Sequence, residues 1–402
     1  MYDAIVIGAR CAGSPTAMLL SRKGYRVLLV DKATFPSDIM STHYIHQPGV
    51  AQLKRWGLLN KVRASNCPPI LQFTFGVGDC VLTGLAPPAG DVTEGYCPRR
   101  TVLDKILVDA AVEAGAELRE GFLVQELLGD RDRVTGIRGR PKGGMPVTEQ
   151  ARIVIGADGL HSFLARSVQP PTYRERPTIQ FGYYSYWSGV PLGGVEIYVR
   201  DYRAALIFPT NDGLACVVAA RAIAGFHEFR SDIEGNYLKT LALAAPGLAE
   251  RVRSGKREER FVGTADLPNF FRKPYGPGWA LVGDAGYHKD PSGGYGITDA
   301  FRDAELLAGA IDEGFSGHRS LDQALAEYEQ QRNNVAMPIY EMTCQAATFA
   351  PPSLEEMQLF TALRGNQAET NRFLGTLAGT VPISEFFAPE NIQRIIDGRK
   401  PE

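Results

Sequence analysis

Tyr2-Asp3-Ala4-Ile5-Val6-Ile7-Gly8-Ala9-Arg10-Cys11-Ala12-Gly13 opens the chain, and its reading decides the fold. The apolar run Ala4–Ile7 suits a strand buried on both faces. Gly8 to Gly13 turns the chain, Ser14 to Arg22 has helical composition, and Gly24 ends that helix. Tyr25 to Val30 reads as a second strand that stops at Asp31. Strand, glycine turn, helix and strand make one unit of a Rossmann-like α/β fold. Gly8 permits a tight turn and Gly13 a close approach of helix to strand, so that N–H groups at the helix start can face a pyrophosphate. Asp31 follows Gly13 by about 18 residues, near the interval at which a carboxylate accepts from an adenosine ribose, and it favours an unphosphorylated ribose. Arg10 stands where the middle glycine would be. Either the pyrophosphate sits a little farther out, or the guanidinium meets a phosphate or a neighbouring loop. The plain alternative is a glycine-rich turn that holds no nucleotide.

Two further turns resemble the first. Ile153-Val154-Ile155 runs into Gly156-Ala157-Asp158-Gly159, where an aspartate at a strand end can accept backbone or ribose hydrogen bonds, although Asp-Gly turns are common. Trp279-Ala280-Leu281-Val282 runs into Gly283-Asp284-Ala285-Gly286, followed by Pro291, Gly294 and Gly296 and by a helix start at Asp299 to Asp303. The Asp284 carboxylate can bind the ribityl hydroxyls of a flavin, and Pro291 gives a rigid turn beside the ring. Gly294 and Gly296 let amides approach the ring edge at a helix N-terminus, which stabilises negative charge on reduction. This spacing is the most specific signal in the chain.

Between these turns, Val50–Trp56 and Arg100–Ala114 read as helices, the latter with Val102, Ile106, Ala110 and Val112 near one face. Residues 68–96 suggest short strands, and 178–222 an antiparallel sheet. Alternation puts Tyr184 and Tyr186 on one face, with Phe181, Tyr183 and Trp187 mostly on the other. Helices are expected over 298–310, 321–347 and from 352 onward. The expected organisation is a discontinuous Rossmann-like FAD-binding domain (1–67, 98–171 and 266–340), an inserted antiparallel β-sheet substrate domain (68–97 and 172–265) and C-terminal helices (341–402).

Composition narrows the partners. Among 402 residues, 43 Lys plus Arg face 45 Asp plus Glu, which gives no electrostatic drive toward nucleic acid or anionic membrane. Six cysteines form no CxxC pair and have no clustered histidines beside them, so no metal site is expected. Without an apolar span or a leader pattern, the expectation is a cytoplasmic protein, monomer or homodimer, with no integral membrane part and a small-molecule partner.

Together the three turns resemble the FAD-dependent monooxygenases of the p-hydroxybenzoate hydroxylase fold and their geranylgeranyl reductase relatives, over roughly the first 340 residues. The resemblance implies that FAD is the cofactor, with NADPH or NADH as electron donor and O2 as co-substrate. It implies that Gly8, Gly13 and Asp31 hold the ADP part, with Arg10, Ser14 and Lys32 among the cofactor-binding residues. Arg100, in Arg100-Thr101-Val102-Leu103, matches the family's R-x-x-L arginine near the flavin phosphate or ribityl chain. Val124 and Asp158 join the cofactor set, Asp284 meets the ribityl chain, and Pro291, Gly294, Gly296 and Ile297 line the ring. Three departures stand out: Arg10, the absence of a thioredoxin-type tail, and Gly286-Tyr287-His288 where the family commonly has Ala-His. No W-x-W-x-I-P segment surrounds Trp56, Trp187 or Trp279, so halogenation is not expected.

The function expected first is NAD(P)H-driven hydroxylation of an aromatic or polycyclic small molecule through a flavin peroxide, in secondary metabolism. Tyr184, Tyr186, Phe208 and Pro209 are the candidate substrate wall, and His43 and His46 the candidate acid/base residues; core packing and loop hydrogen bonds are the plain readings of the same side chains. The alternatives are a flavin-dependent reductase of the geranylgeranyl type acting on C=C bonds, and a non-catalytic nucleotide-binding protein.

Overall fold

The computed structural model describes residues 1–130 and 133–398, so residues 131–132 and 399–402 of the expected segments lie outside it. Strand β1 (Tyr2–Ile7), helix α1 (Gly13–Arg22) and strand β2 (Val27–Val30) form the expected unit. β1 lies parallel between β2 and the strand Val147–Gly156, which pairs in turn with Trp279–Leu281, also parallel. The register explains why three turns far apart in sequence act together. Ile7 is level with Val30 on one side and with Gly156 on the other, and Gly156 is level with Leu281. Gly8, Asp31, Asp158 and Asp284 therefore all leave one edge of the sheet, at the carboxyl ends of its strands, where open α/β sheets bind ligands.

A second sheet runs in the order 256–257, 180–188, 215–222, 203–209, 194–200, 72–77, 80–84. It is antiparallel except where Gly194–Arg200 pairs parallel with Gln72–Val77, a contact that reaches across more than a hundred residues of chain. One face carries Tyr184, Tyr186, Phe208 and Cys216 against Phe360, Phe373 and Phe386 of the C-terminal helices. The other carries Phe181, Tyr183 and Trp187 against Phe229, Tyr237 and Leu241. Those last residues belong to the helices Phe226–Ser231 and Ile233–Ala244, which back the sheet together with Pro246–Ser254. A small third sheet joins Thr172–Arg176, Asn269–Arg272 and Tyr287–His288.

The helix Arg100–Glu113 forms as expected but turns a different face inward. Its buried side is Leu103, Leu107, Val108, Ala110 and Ala111 together with Arg100 and Asp104, while Val112 is 45% exposed. Reading apolar residues alone shifted the stripe, because this helix buries an ion pair at its first turn. The helix Leu321–Ala346 runs unbroken through residue 341. No helix among the described residues is long and apolar enough to cross a membrane.

Candidate cofactor and substrate site

The first turn is shaped by what it lacks. Gly8 has φ +102°, and a Cβ there would lie 2.5 Å from the carbonyl oxygen of Ala157. A Cβ on Gly13 would lie 1.7 Å from the Gly8 carbonyl oxygen, so only glycine lets α1 start this close to β1. The Asp31 carboxylate fastens the turn, accepting from Ala9 N–H at 2.7 Å and from Ala33 N–H at 2.8 Å. Each oxygen keeps a second acceptor site for a ribose hydroxyl. Ser14 donates its hydroxyl to the Ala9 carbonyl, and Lys32 is exposed. α1 has neither a side-chain cap nor an acidic residue in its first turn, which leaves its amide end open to an anion.

Arg10 does not point into open space. Its guanidinium pairs with Asp104 and donates to Ser37 Oγ at 2.9 Å and to the Ser37 carbonyl, so it meets a neighbouring loop. Arg100 grips the same Asp104, through Nε at 3.0 Å and Nη2 at 2.9 Å. One fully buried carboxylate thus holds two guanidiniums beside the turn, with the Cys11 thiol as a third donor at 3.4 Å. Burial pushes the Cys11 thiol well up, so it stays protonated.

The other two turns are built differently. Asp158 Oδ2 accepts from Phe163 N–H at 2.6 Å, while Oδ1 is buried without a partner and burial raises the carboxyl. Asp284 is exposed and makes no hydrogen bond among the described residues, although its charge reaches Arg100 and Lys289. Gly294 is buried against Tyr44 and His46, whereas a Cβ on Gly296, the exposed first residue of the helix Gly296–Phe315, would meet nothing. That helix also starts without a side-chain cap. Glycines that only a bare backbone can occupy, two uncapped helix starts, two guanidiniums and an unpartnered carboxylate at one sheet edge form a donor set that fits FAD. Val124 and Ile297 spend their side chains on the core, so any contact they offer is through backbone.

The loop 34–46 joins this edge to the second sheet. His43 has φ +64° and is fully buried, with Nε2 2.7 Å from the Tyr186 hydroxyl. The rings of Tyr184 and Tyr186 meet it edge-on at 5.8 Å, and Phe208 lies at 6.3 Å. Pro209, next along, projects to the opposite face from Phe208 and is half-buried. His46 Nε2 donates to the Gly293 carbonyl at 2.9 Å, and its ring stacks on Tyr295 at 4.5 Å. Both histidines keep a buried Nδ1 without a partner. Burial lowers His43 to about 3 and His46 to about 4, so both are neutral at physiological pH. His288 is held elsewhere, by the Pro268 carbonyl at 2.5 Å.

Two residues escaped the sequence reading. Arg99 lies 4.1 Å from the Tyr186 ring centre and pairs with Glu259 at 2.5 Å and Asp38 at 3.2 Å. Lys289 is buried against Asp299. An arginine beside a motif arginine, and a lysine within an aspartate-rich turn, were the available signals.

The buried histidines set a pH dependence of stability. Their folded-state values lie below the usual one near 6.5, so the unfolded chain binds more protons once the pH falls below that value. Stability should therefore be full above about pH 6.5 and fall toward pH 4, with a slope approaching about 2.7 kcal/mol per pH unit for two protons. Urea unfolding at stepped pH reads this slope. The double substitution His43→Gln and His46→Gln should flatten it, and a slope unchanged in that variant would remove the histidines as its cause.

A family model described as FAD binding domain matches residues 1–343. Similar sequences include the digeranylgeranylglycerophospholipid reductase of Methanocella arvoryzae, 24% identical over 82% of this chain and 82% of that protein. The rifampicin monooxygenase of Rhodococcus hoagii is 26% identical over 85% of this chain and 70% of that one. Among solved structures, the flavin-dependent brominase Bmp2 superposes with a TM-score of 0.82 at 18% identity, covering 99% of this chain and 98% of its own. At that identity the likeness concerns the fold and carries no halogenation.

Proposed function

The chain belongs to the FAD binding domain family and is an FAD-dependent oxidoreductase, and from that premise we propose an NAD(P)H-driven monooxygenase acting on an aromatic or polycyclic small molecule. Membership sets aside the expectation of a non-catalytic nucleotide-binding protein. The observation that carries the proposal is the buried group of His43, Tyr184, Tyr186 and Phe208, where the loop 34–46 meets the second sheet. Its tyrosine and phenylalanine rings pack against the C-terminal helices in this structure, and a flat substrate parting the two would meet flat apolar faces in a dry setting.

Bound FAD supplies the redox chemistry. The chain's own residues supply the rest. Gly8, Gly13 and the start of α1 would seat the pyrophosphate, Asp31 the adenosine ribose, and Asp284 the ribityl hydroxyls. The amide end of the helix Gly296–Phe315 would face the ring edge. His43 Nε2 and the Tyr186 hydroxyl share one hydrogen bond, which holds the phenol in place at the end of the aromatic group. With both groups neutral, they orient a substrate hydroxyl without presenting a charge.

A reduction of C=C bonds is the second reading, favoured by the sequence similarity to digeranylgeranylglycerophospholipid reductases. Oxygen labelling separates the two. Purified holoenzyme is given NADPH or NADH with a panel of phenols and polycyclic aromatics under 18O2. Substrate-stimulated NAD(P)H consumption with label in the product supports hydroxylation. Anaerobic consumption of an added alkene, with no labelled product, replaces it by the reductase reading.

A further inference from the structure

Lys289 is costly where it stands. Its side chain is 5% exposed, its ammonium pairs with the 4%-exposed Asp299, and it lies 5.2 and 5.6 Å from the ring centres of Tyr287 and Tyr295. Asp299 is also held by Arg302 at 2.7 Å, and Arg302 reaches Asp303 at 2.8 Å and the Tyr287 hydroxyl at 2.7 Å. Two cations and two carboxylates therefore balance beneath the first turn of the helix Gly296–Phe315. Burial, and then the charge of Arg302, push Lys289 down, while the Asp303 and Asp284 carboxylates favour its charged form and Asp299 pairs with it directly. An apolar set of equal volume would pack there at no such cost. Stability does not explain the pair.

Electrostatics at the helix start does. Asp299 alone would place a negative charge in the first turn, against the open amides of Gly296 and Ile297. We propose that Lys289 is a positioning residue for FAD: by cancelling Asp299 it keeps the helix start a net positive field, and so raises the reduction potential of the bound cofactor. The ring gains negative charge on reduction, and a positive field at its edge favours the reduced form. This inference rests on the proposed meeting of the Pro291–Gly296 turn with the flavin ring.

The test is a charge cycle read by spectroscopic redox titration of the holoenzyme. Lys289→Met should lower the potential, Asp299→Asn should raise it, and Lys289→Arg should stay near the parent. The double variant Lys289→Met with Asp299→Asn should return toward the parent, because the charge is again balanced. A purely structural role would shift both single variants the same way or neither, and either result overturns the inference. If Lys289→Met does not fold, the upward shift of Asp299→Asn still decides. Gly296→Leu separates the underlying reading, since its side chain enters open space and should disturb FAD affinity and absorbance. A responsive Gly296→Leu with an unshifted charge series overturns the inference alone. A silent Gly296→Leu with an unshifted series overturns both.

Discussion

Asp284→Ala should leave the fold intact and weaken the hold on the cofactor. The carboxylate is exposed and makes no hydrogen bond among the described residues, so its removal breaks nothing within the chain. Most carboxylates nearby behave otherwise: Asp31, Asp104 and Asp158 are all engaged by backbone or guanidinium donors. A carboxylate left bare at a strand end, within reach of the charges of Arg100 and Lys289, is placed for a ligand. Hydrogen bonds to a charged acceptor contribute about 1.5–3 kcal/mol, so losing this contact should weaken FAD binding about 10- to 100-fold. Fluorescence titration of the deflavinated protein with FAD reads the affinity, and thermal unfolding without FAD serves as the control. An FAD affinity unchanged from the parent would refute the ribityl assignment. A large drop in melting temperature without FAD would show instead that Asp284 supports the fold.

Much of this arrangement was legible because it depends on local chemistry. Gly8, Gly13 and the apolar Ala4–Ile7 announce a strand-to-helix turn from their own steric properties, and alternation sorted Tyr184 and Tyr186 from Phe181, Tyr183 and Trp187 as the two cores do. What stayed hidden depends on contacts far apart in sequence. Nothing near Asp104 says that Arg10, across 94 residues, will share it with Arg100. The same partner makes Arg10 acceptable at a position where close approach would favour glycine. The inward face of the helix Arg100–Glu113 was misread for the same reason, since a polarity rule cannot foresee that Arg100 and Asp104 go inside together. Ile297, expected to line the ring, packs its side chain into the core, so any contact it makes there is through backbone.

That shared carboxylate makes the other large prediction. Asp104 is fully buried, so removing a guanidinium leaves charge uncompensated, and breaking a buried pair this way costs about 3–5 kcal/mol. Arg100→Leu should therefore destabilise the protein by about that amount in urea unfolding, tempered by the surviving Arg10 contact. Removing both partners, as Arg100→Leu with Asp104→Leu, should recover much of the loss, because the buried carboxylate is gone and the Arg10 guanidinium it leaves is partly exposed and still bonded to Ser37. Arg10 is the weaker party to the network, its side chain 19% exposed and also bonded to Ser37. Equal destabilisation of single and double variants would mean that packing around Arg100, and not its charge, carries the stability. Cofactor content separates fold from binding in the same pair. If Arg100 also meets the flavin phosphate or ribityl chain, the double variant regains stability yet still loses FAD on gel filtration. If FAD returns with the fold, Arg100 acts only by holding Asp104, and the positive charge at the turn comes from Arg10 and the start of α1.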